Sequence, residues 1–462
     1  MMIAIILLPI FFGLSILFVL KLDKLLNIPI LLALSFALGT GVITQWMLIL
    51  GILQIPFSST SINLSLSILS LILLVVRLYS KEKLCEGALY KDLKPGTKNI
   101  HTIILLLFLF ATIVCIFIIS MTIPVLTWDA VATHAFNAKI FYYEKSLTYL
   151  PNMPHYTYPC HIPFILSWAA FTQGEWDSQS IKIIFPLMFL SFVFIKYYFL
   201  RLLTDRNSAL IGTGLLCSSF FFVYHATICY RDFTMCFYIY TCLASLCLWS
   251  KFQKTSFLVL AGLFAGFVSF IKLEGTGYAV ILALILFVML ILSKTKNLKK
   301  KIISFFTFTL ISWGIAAIYH CYKYFIVFNS ITDRSDKGDF DLNHIQINFS
   351  LELFQRLTVL AQKYLTNLFS TNNWSTVWPI FFICLLKLKR KNISPEMLIL
   401  FLFIALHTVI YTLGYTLTQH FIWLKTDTAL SRSILHIFPI IPALIAMILS
   451  GGQEHKANGL KR

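Results

Sequence analysis

Runs of about twenty consecutive, mostly apolar residues recur along the whole chain, and no other feature constrains its fold as tightly. One helical crossing of a bilayer requires a run of that length. A lipid core offers no water to exposed peptide groups, so such runs must be helices that satisfy their own backbone. They fall near 2–20, 28–52, 61–78, 102–124, 181–200, 208–227, 233–250, 256–271, 276–293, 302–326, 374–388, 395–417 and 433–450, about thirteen in all. The runs near 256–271 and 374–388 are short, which leaves the count a margin of one or two. Charged residues make up only 12% of the 462, whereas soluble proteins carry about 25%. The expectation is an all-α, polytopic, multi-pass integral membrane protein.

The net charge of +18 would suggest nucleic acid if it lay on one solvated face. Its distribution gives a different explanation. With the amino terminus outside, the cytoplasmic side holds the 21–27 turn, the 77–101 loop, the 196–206 turn, Lys251 and Lys254, the cluster at 294–301, the stretch 387–391 and the carboxyl tail. Together with Glu396, at the cytoplasmic end of the run that follows, those segments hold 25 of the 37 basic residues but 7 of the 19 acidic ones, and the outer side is left with 12 of each. The whole excess is a positive-inside signal, and no nucleic-acid partner is needed. The first run lacks a basic n-region and a cleavage site, so a retained helix is expected there. The cysteines, among them Cys115, Cys217, Cys236, Cys242 and Cys247, lie mostly inside apolar runs without a CxxC pair and read as small core residues.

Three parts follow. Residues 1–104 form amino-terminal spans with a basic cytoplasmic loop, 105–450 a transmembrane module, and 451–462 a cytoplasmic tail. The module carries two outer loops, about 125–180 and 327–373. Within the first loop, the apolar segment 162–173 is too short to span, and a crossing there would turn every later lysine cluster outward. It reads as an interfacial or re-entrant helix.

Ionisable groups at membrane depth cost about 2.5–3.5 kcal/mol each at a helix centre, less toward the interface. A small set sits near span ends on the outer side: Asp129, Arg231 and Asp232, Lys272 and Glu274, and Arg432 with His436. Bland readings exist for several. Arg231 and Lys272 suit snorkelling anchors, Lys272 and Glu274 suit a self-satisfied turn, His225 and His320 suit helix ends, and the aromatics of 142–158 suit an interfacial belt. Asp129 resists such a reading, because it directly follows a 20-residue apolar run and leads into His134 and Asn137. At helical spacing Asp129, Thr133 and Asn137 share a face, as in a surface helix with its polar side toward a cavity. A carboxylate there suits a general base toward a hydroxyl. Arg432 and Lys272 suit a phosphate, the arginine through its planar fork.

In order, these features resemble the GT-C superfamily of membrane glycosyltransferases, in the branch of protein O-mannosyltransferases and lipid A aminoarabinose transferases. The similarity covers roughly residues 105–450. The matching parts are Trp128-Asp129-Ala130, a juxtamembrane helix over 130–147, the Pro-rich Tyr158-Pro159-Cys160-His161-Ile162-Pro163-Phe164, and Gly174-Glu175-Trp176-Asp177. Tyr230-Arg231-Asp232, Lys272-Leu273-Glu274-Gly275 and Arg432 leading to Pro439 complete the series. The resemblance implies an undecaprenyl- or dolichyl-phosphate-linked sugar, a hydroxyl acceptor and inverting transfer on the outer face. Carried over, Asp129 is the base or acceptor guide and Asp232 the second acid. Arg432 grips the donor phosphate, Lys272 assists it, and Glu274, Arg231, His134 and His436 support them. A bacterial inner membrane is the expected location.

The chain departs from the pattern in two places. Three extra spans precede the loop, where the family usually has one. Asp129 also stands alone where several members pair two acids, and Cys160 and His161 break the double proline. The paired acids that would bridge a divalent metal are therefore missing, which disfavours a metal without excluding one, and no other cofactor is implied. There is no GxxxxGK[ST] or GxGxxG run for a nucleotide. The rival readings are an O-antigen polymerase or ligase, which accounts for Arg432 and His436 but not for Asp129, and a transporter. Transporters place their ionisable groups near the midplane, whereas here they line one rim.

Overall fold

In a computed structural model, the structure describes residues 2–79, 87–91, 93, 99–148, 158–293, 297–324, 351–418, 420–427 and 429–451. Every regular element among them is helical. The order begins α1 (Met2–Val19), α2 (Ile28–Ile52), α3 (Ser65–Leu78), α4 (Ile100–Thr122), α5 (Phe136–Glu144), α6 (His161–Gln173) and α7 (Ile184–Leu203). It continues through α8 (Arg206–Cys217), α9 (Phe220–His225), α10 (Arg231–Phe252), α11 (Thr255–Val268), α12 (Glu274–Leu292) and α13 (Leu298–Tyr322). The last part holds α14 (Leu351–Leu368), α15 (Thr371–Trp374), α16 (Val377–Lys387), α17 (Pro395–Leu417), α18 (Phe421–Lys425), α19 (Leu430–Ile437) and α20 (Ile440–Leu449). The charged stretch 333–341 of the second outer loop and the tail from 452 lie outside the described residues.

Nine described helices are long and apolar enough to cross a membrane, and α19 with α20, bent by 42° at the break between them, make up to a tenth. The expected count of thirteen is therefore not reached on length and composition. The differences have local causes. Ser218 and Ser219 interrupt the 208–227 run, and the Ser219 hydroxyl caps α9 by accepting from the Phe222 N–H. The 256–271 run yields only the 14-residue α11, and 374–388 only the 11-residue α16.

Segment 162–173 does form a separate short helix, α6, only about 20 Å long by the helical rise. Its surroundings differ from those of an interfacial helix: all of its residues are buried, packed by α5, α2 and α1. Protein rather than lipid covers it.

Burial follows the inverse logic of a membrane protein. The very apolar α4 is only 17% buried inside the protein, whereas α10, with its hydroxyls, thiols and charges, is 94% buried. Lipid accepts the greasy helix, and polar groups need protein partners. Helix α10 is the hub, packed by α7, α9, α11, α12, α17 and α19. Its Cys236, Cys242 and Cys247 are buried and free. Helices α1 and α2 meet backbone to backbone at Gly13 and Gly39, where an added Cβ would stand 1.9 Å from a facing carbonyl oxygen.

Candidate active site

Helix ends and one tight turn bring the site together at one end of the bundle. Asp129 follows the carboxyl end of α4. Arg231 and Asp232 open α10, Lys272 lies in the α11–α12 turn, and Arg432 and His436 stand on α19.

Each local shape has a sequence cause. Asp232 occupies the first turn of α10, where the helix dipole favours an anion. The α11–α12 turn closes because Gly275 lies against the Val268 carbonyl, 2.0 Å from where a Cβ would be. That approach sets Lys272 and Glu274 side by side. On α19, Arg432 and His436 are four residues apart and share a face. The α19–α20 break falls at Phe438 and Pro439. Pro439 and Pro442 lack the N–H groups that would continue the ladder, and Lys196 from α7 donates to the Pro439 carbonyl. The bend thereby aims the α19 face at α10.

The Asp232 side chain is fully buried. Its Oδ1 accepts from Lys272 Nζ at 3.1 Å and faces His436 Nε2 at 3.2 Å, while Oδ2 accepts from Arg432 Nε at 2.7 Å. An ionised carboxylate can only accept, so His436 presents its Nε2–H. Its Nδ1, 2.8 Å from the Tyr278 hydroxyl, then accepts from that group. Arg432 also reaches Asp129 Oδ2 from Nη1 at 2.9 Å, and Lys272 reaches Glu274 at 3.2 Å. One guanidinium thus bridges the two aspartates. Burial alone would pull the Lys272 amine down, but the Asp232 and Glu274 carboxylates outweigh it and hold it above the usual lysine range.

Asp129 differs from Asp232 in access. Its side chain is 34% exposed, and only one of its carboxylate oxygens is engaged by a cation. Tyr230 fixes its place: the Asp129 N–H donates to the Tyr230 hydroxyl at 3.3 Å, and the same ring lies 5.2 Å beneath the Arg432 guanidinium. After Asp129 the chain makes a π-helical turn, Ala130–Ala135, before α5. The wider turn alters the register that a plain helix gives Asp129, Thr133 and Asn137. Thr133 folds back to donate to the Asp129 carbonyl, and Asn137 is buried with an Oδ1 that has no partner. Of the three, Asp129 alone joins the ion-pair network. Trp128, Val131 and Phe136 face outward while Thr133, His134 and Asn137 face in, but further along Phe141 is buried and Lys139 exposed, so the polar and apolar sides do not hold over the whole segment.

The supporting residues separate into two groups. His436 and Glu274 belong to the network. Arg231 and His134 lie on its other flank: Arg231 sits 4.8 Å from the Tyr158 ring, and His134 packs edge-on to Tyr230 at 6.4 Å. Burial, and next the charge of Arg231, hold His134 well below the usual histidine range. His225 and His320 contact helix-end groups, the Phe221 carbonyl and the Thr276 hydroxyl. Tyr230, Tyr278 and Tyr158 were not singled out for the site by sequence. Tyr278 lies one helical turn beyond Glu274, a spacing that offered a signal. Among the described residues no group of three or more His, Cys, Asp or Glu side chains could hold a metal ion.

No family model matches the sequence, and neither does any curated protein. Solved structures do match. ArnT from Cupriavidus metallidurans aligns in its apo state with a TM-score of 0.50 and 12% identity, over 76% of this chain and 60% of that one. The same protein bound to undecaprenyl phosphate aligns with a TM-score of 0.50 and 12% identity, over 75% and 60%. The chain thus spans about three fifths of the length of the structures it matches. At that identity the likeness is one of fold: this chain is a helical, multi-pass membrane protein with an ArnT-like fold.

Proposed function

We propose that this protein is a membrane glycosyltransferase that moves a sugar from a polyprenyl-phosphate-linked donor to a hydroxyl acceptor. The reaction would take place on the outer face of a bacterial inner membrane. The observation that carries this reading is the Asp129–Arg432–Asp232–Lys272 chain of contacts. It joins an open carboxylate to fixed cations at one rim of an ArnT-like bundle, and one of the matching ArnT structures holds undecaprenyl phosphate.

Roles follow from access and from free valences. Asp129 takes the proton of the acceptor hydroxyl. The acceptor oxygen attacks the anomeric carbon from the face opposite the phosphate. The bond from that carbon to the phosphate oxygen breaks, its electron pair stays on the phosphate, and the configuration inverts. Arg432 uses Nε and Nη1 on the two aspartates, so its Nη2 edge is the part that meets the phosphate. Lys272 adds a second positive charge nearby. Such fixed donors stabilise charge as it develops without reorganising. Asp232, sealed among its donors, positions the cations and takes no proton itself.

Mass spectrometry of lipid-linked sugars, from membranes expressing the wild type or Asp129→Asn, tests the proposal. Accumulation of a polyprenyl-phosphate monosaccharide in the mutant supports it and identifies the donor. Accumulation of pyrophosphate-linked oligosaccharide repeats would favour a polymerase or ligase and overturn it.

A further inference from the structure

Arg231 stands apart from the network beside it. Neighbouring residues on a helix leave the axis about 100° apart, so Arg231 and Asp232 serve different sides of α10. The Arg231 side chain is 2% exposed, and its Nε is sealed from solvent without an acceptor. Among the described residues it makes no ion pair and no hydrogen bond, and its contact is the face of Tyr158. Lys272 and Arg432, by contrast, each touch two carboxylates. Other buried polar atoms near Arg231 are also unsatisfied. His134 Nδ1 and His161 Nε2 have no hydrogen-bond partner. Both imidazoles are held low by burial and then by the charge of Arg231, His161 down to about 3, so both are neutral at physiological pH.

Glu274 acts on Arg231 only from beyond ion-pair distance, and a buried guanidinium with no carboxylate in contact is among the less favourable arrangements a protein can hold. Stacking on Tyr158 offsets part of that penalty, and an oxyanion would offset the rest. A guanidinium fork suits a phosphate through paired N–H donors, and a neutral imidazole can donate to it from one ring nitrogen.

We infer that Arg231, backed by Tyr158 and flanked by His134 and His161, forms a phosphate-binding subsite separate from the Arg432–Lys272 network. That the phosphate belongs to a substrate of glycosyl transfer rests on the transferase reading; the subsite itself does not. A lipid headgroup and free phosphate share the chemistry, and the probes below distinguish them.

The test is thermal unfolding of the full-length protein in detergent, titrated with inorganic phosphate and separately with polyprenyl monophosphate. Wild type should be stabilised. Arg231→Gln should unfold no earlier than wild type without ligand, because it removes an uncompensated charge, and should bind phosphate roughly tenfold or more weakly. Arg432→Gln should keep its response to inorganic phosphate. If Arg231→Gln does not accumulate, Arg231→Lys serves instead, since it keeps the charge and should weaken binding by loss of the fork. Stabilisation by both probes supports a general phosphate subsite, and stabilisation by the polyprenyl phosphate alone supports a lipid-headgroup subsite. Three results would overturn the inference. Wild type is unmoved by either probe, Arg231→Gln is less stable with an undiminished phosphate response, or Arg432→Gln loses that response while Arg231→Gln keeps it. A negative lipid analysis with Asp129→Asn would remove the transferase reading and leave these outcomes interpretable.

Discussion

Neutralising each aspartate of the site in turn separates positioning from chemistry. Asp232→Asn removes a charge with no solvent exposure that three side chains address, and it turns an amide toward two cations. Breaking a buried pair from one side costs about 3–5 kcal/mol. Lys272 and Arg432 keep second partners in Glu274 and Asp129, so the lower end applies, about 3 kcal/mol. Asp129→Asn removes a carboxylate that is 34% exposed and holds a cation which keeps Asp232. A pair with that access is worth about 0.2–1 kcal/mol. The stability loss for Asp129→Asn should therefore stay under about 1 kcal/mol, while turnover falls by roughly 10²–10⁴, as for removal of a general base.

Unfolding in mixed micelles with a denaturing detergent, followed by tryptophan fluorescence, gives the first quantity. Consumption of a polyprenyl-phosphate sugar at saturating donor gives the second. Asp232→Asn should lose both stability and turnover, and Asp129→Asn only turnover. Equal destabilisation by the two substitutions would refute the division between sealed hub and open base. Near-normal turnover in Asp129→Asn would remove the base role.

Two other expectations follow from geometry. Gly275→Ala places a methyl 2.0 Å from the Val268 carbonyl, so the α11–α12 turn must open. Expected are a stability loss of about 1–3 kcal/mol and lower turnover through displacement of Lys272, while Gly277→Ala, which meets nothing within 4 Å, should be silent in the same assays. Arg432→Lys keeps one charge but not the fork that spans Asp129 and Asp232. It should raise the KM for donor and lower kcat less than Arg432→Gln does, and equal donor affinity in Arg432→Lys and wild type would count against the two-sided grip.

Much of the site was legible because membrane depth makes charge expensive. Asp129, Asp232, Lys272, Glu274, Arg432 and His436 stood out as ionisable residues at the ends of apolar runs, and the fold brings all six together. Span number was less legible. Periodicity does not reveal that Ser219 caps a new helix, whereas α11 and α16 stop short of a full crossing at the two runs whose shortness was already visible. The burial of α6 also lay beyond sequence reading, since an apolar segment that faces protein has the same composition as one that faces lipid. The π-helical turn after Asp129 was hidden for a related reason: Ala130–Ala135 has no proline or glycine to mark a change of register. Tyr230 and Tyr278 escaped because tyrosines are common near membrane interfaces, and only contact geometry separates a belt residue from one that holds an aspartate loop or a histidine tautomer.

If the proposed transfer takes place here, the bridge between the two aspartates couples proton transfer to leaving-group departure. In the resting site Arg432 divides its donors between Asp129 and Asp232. In the proposed reaction Asp129 becomes neutral when it takes the acceptor proton, and Arg432 then loses one of its two counter-ions. The guanidinium then attracts a phosphate more strongly, at the moment when the leaving phosphate gains charge. Asp129→Asn imitates that protonated state. It should therefore bind polyprenyl phosphate, the leaving product, at least as tightly as wild type and by up to about tenfold tighter, a change of roughly 1.4 kcal/mol, while its turnover falls as above. Isothermal titration of both proteins with polyprenyl phosphate in matched detergent reads the difference. Weaker binding by Asp129→Asn would mean that the carboxylate holds Arg432 in its productive place rather than competing for it, and the coupling would fail.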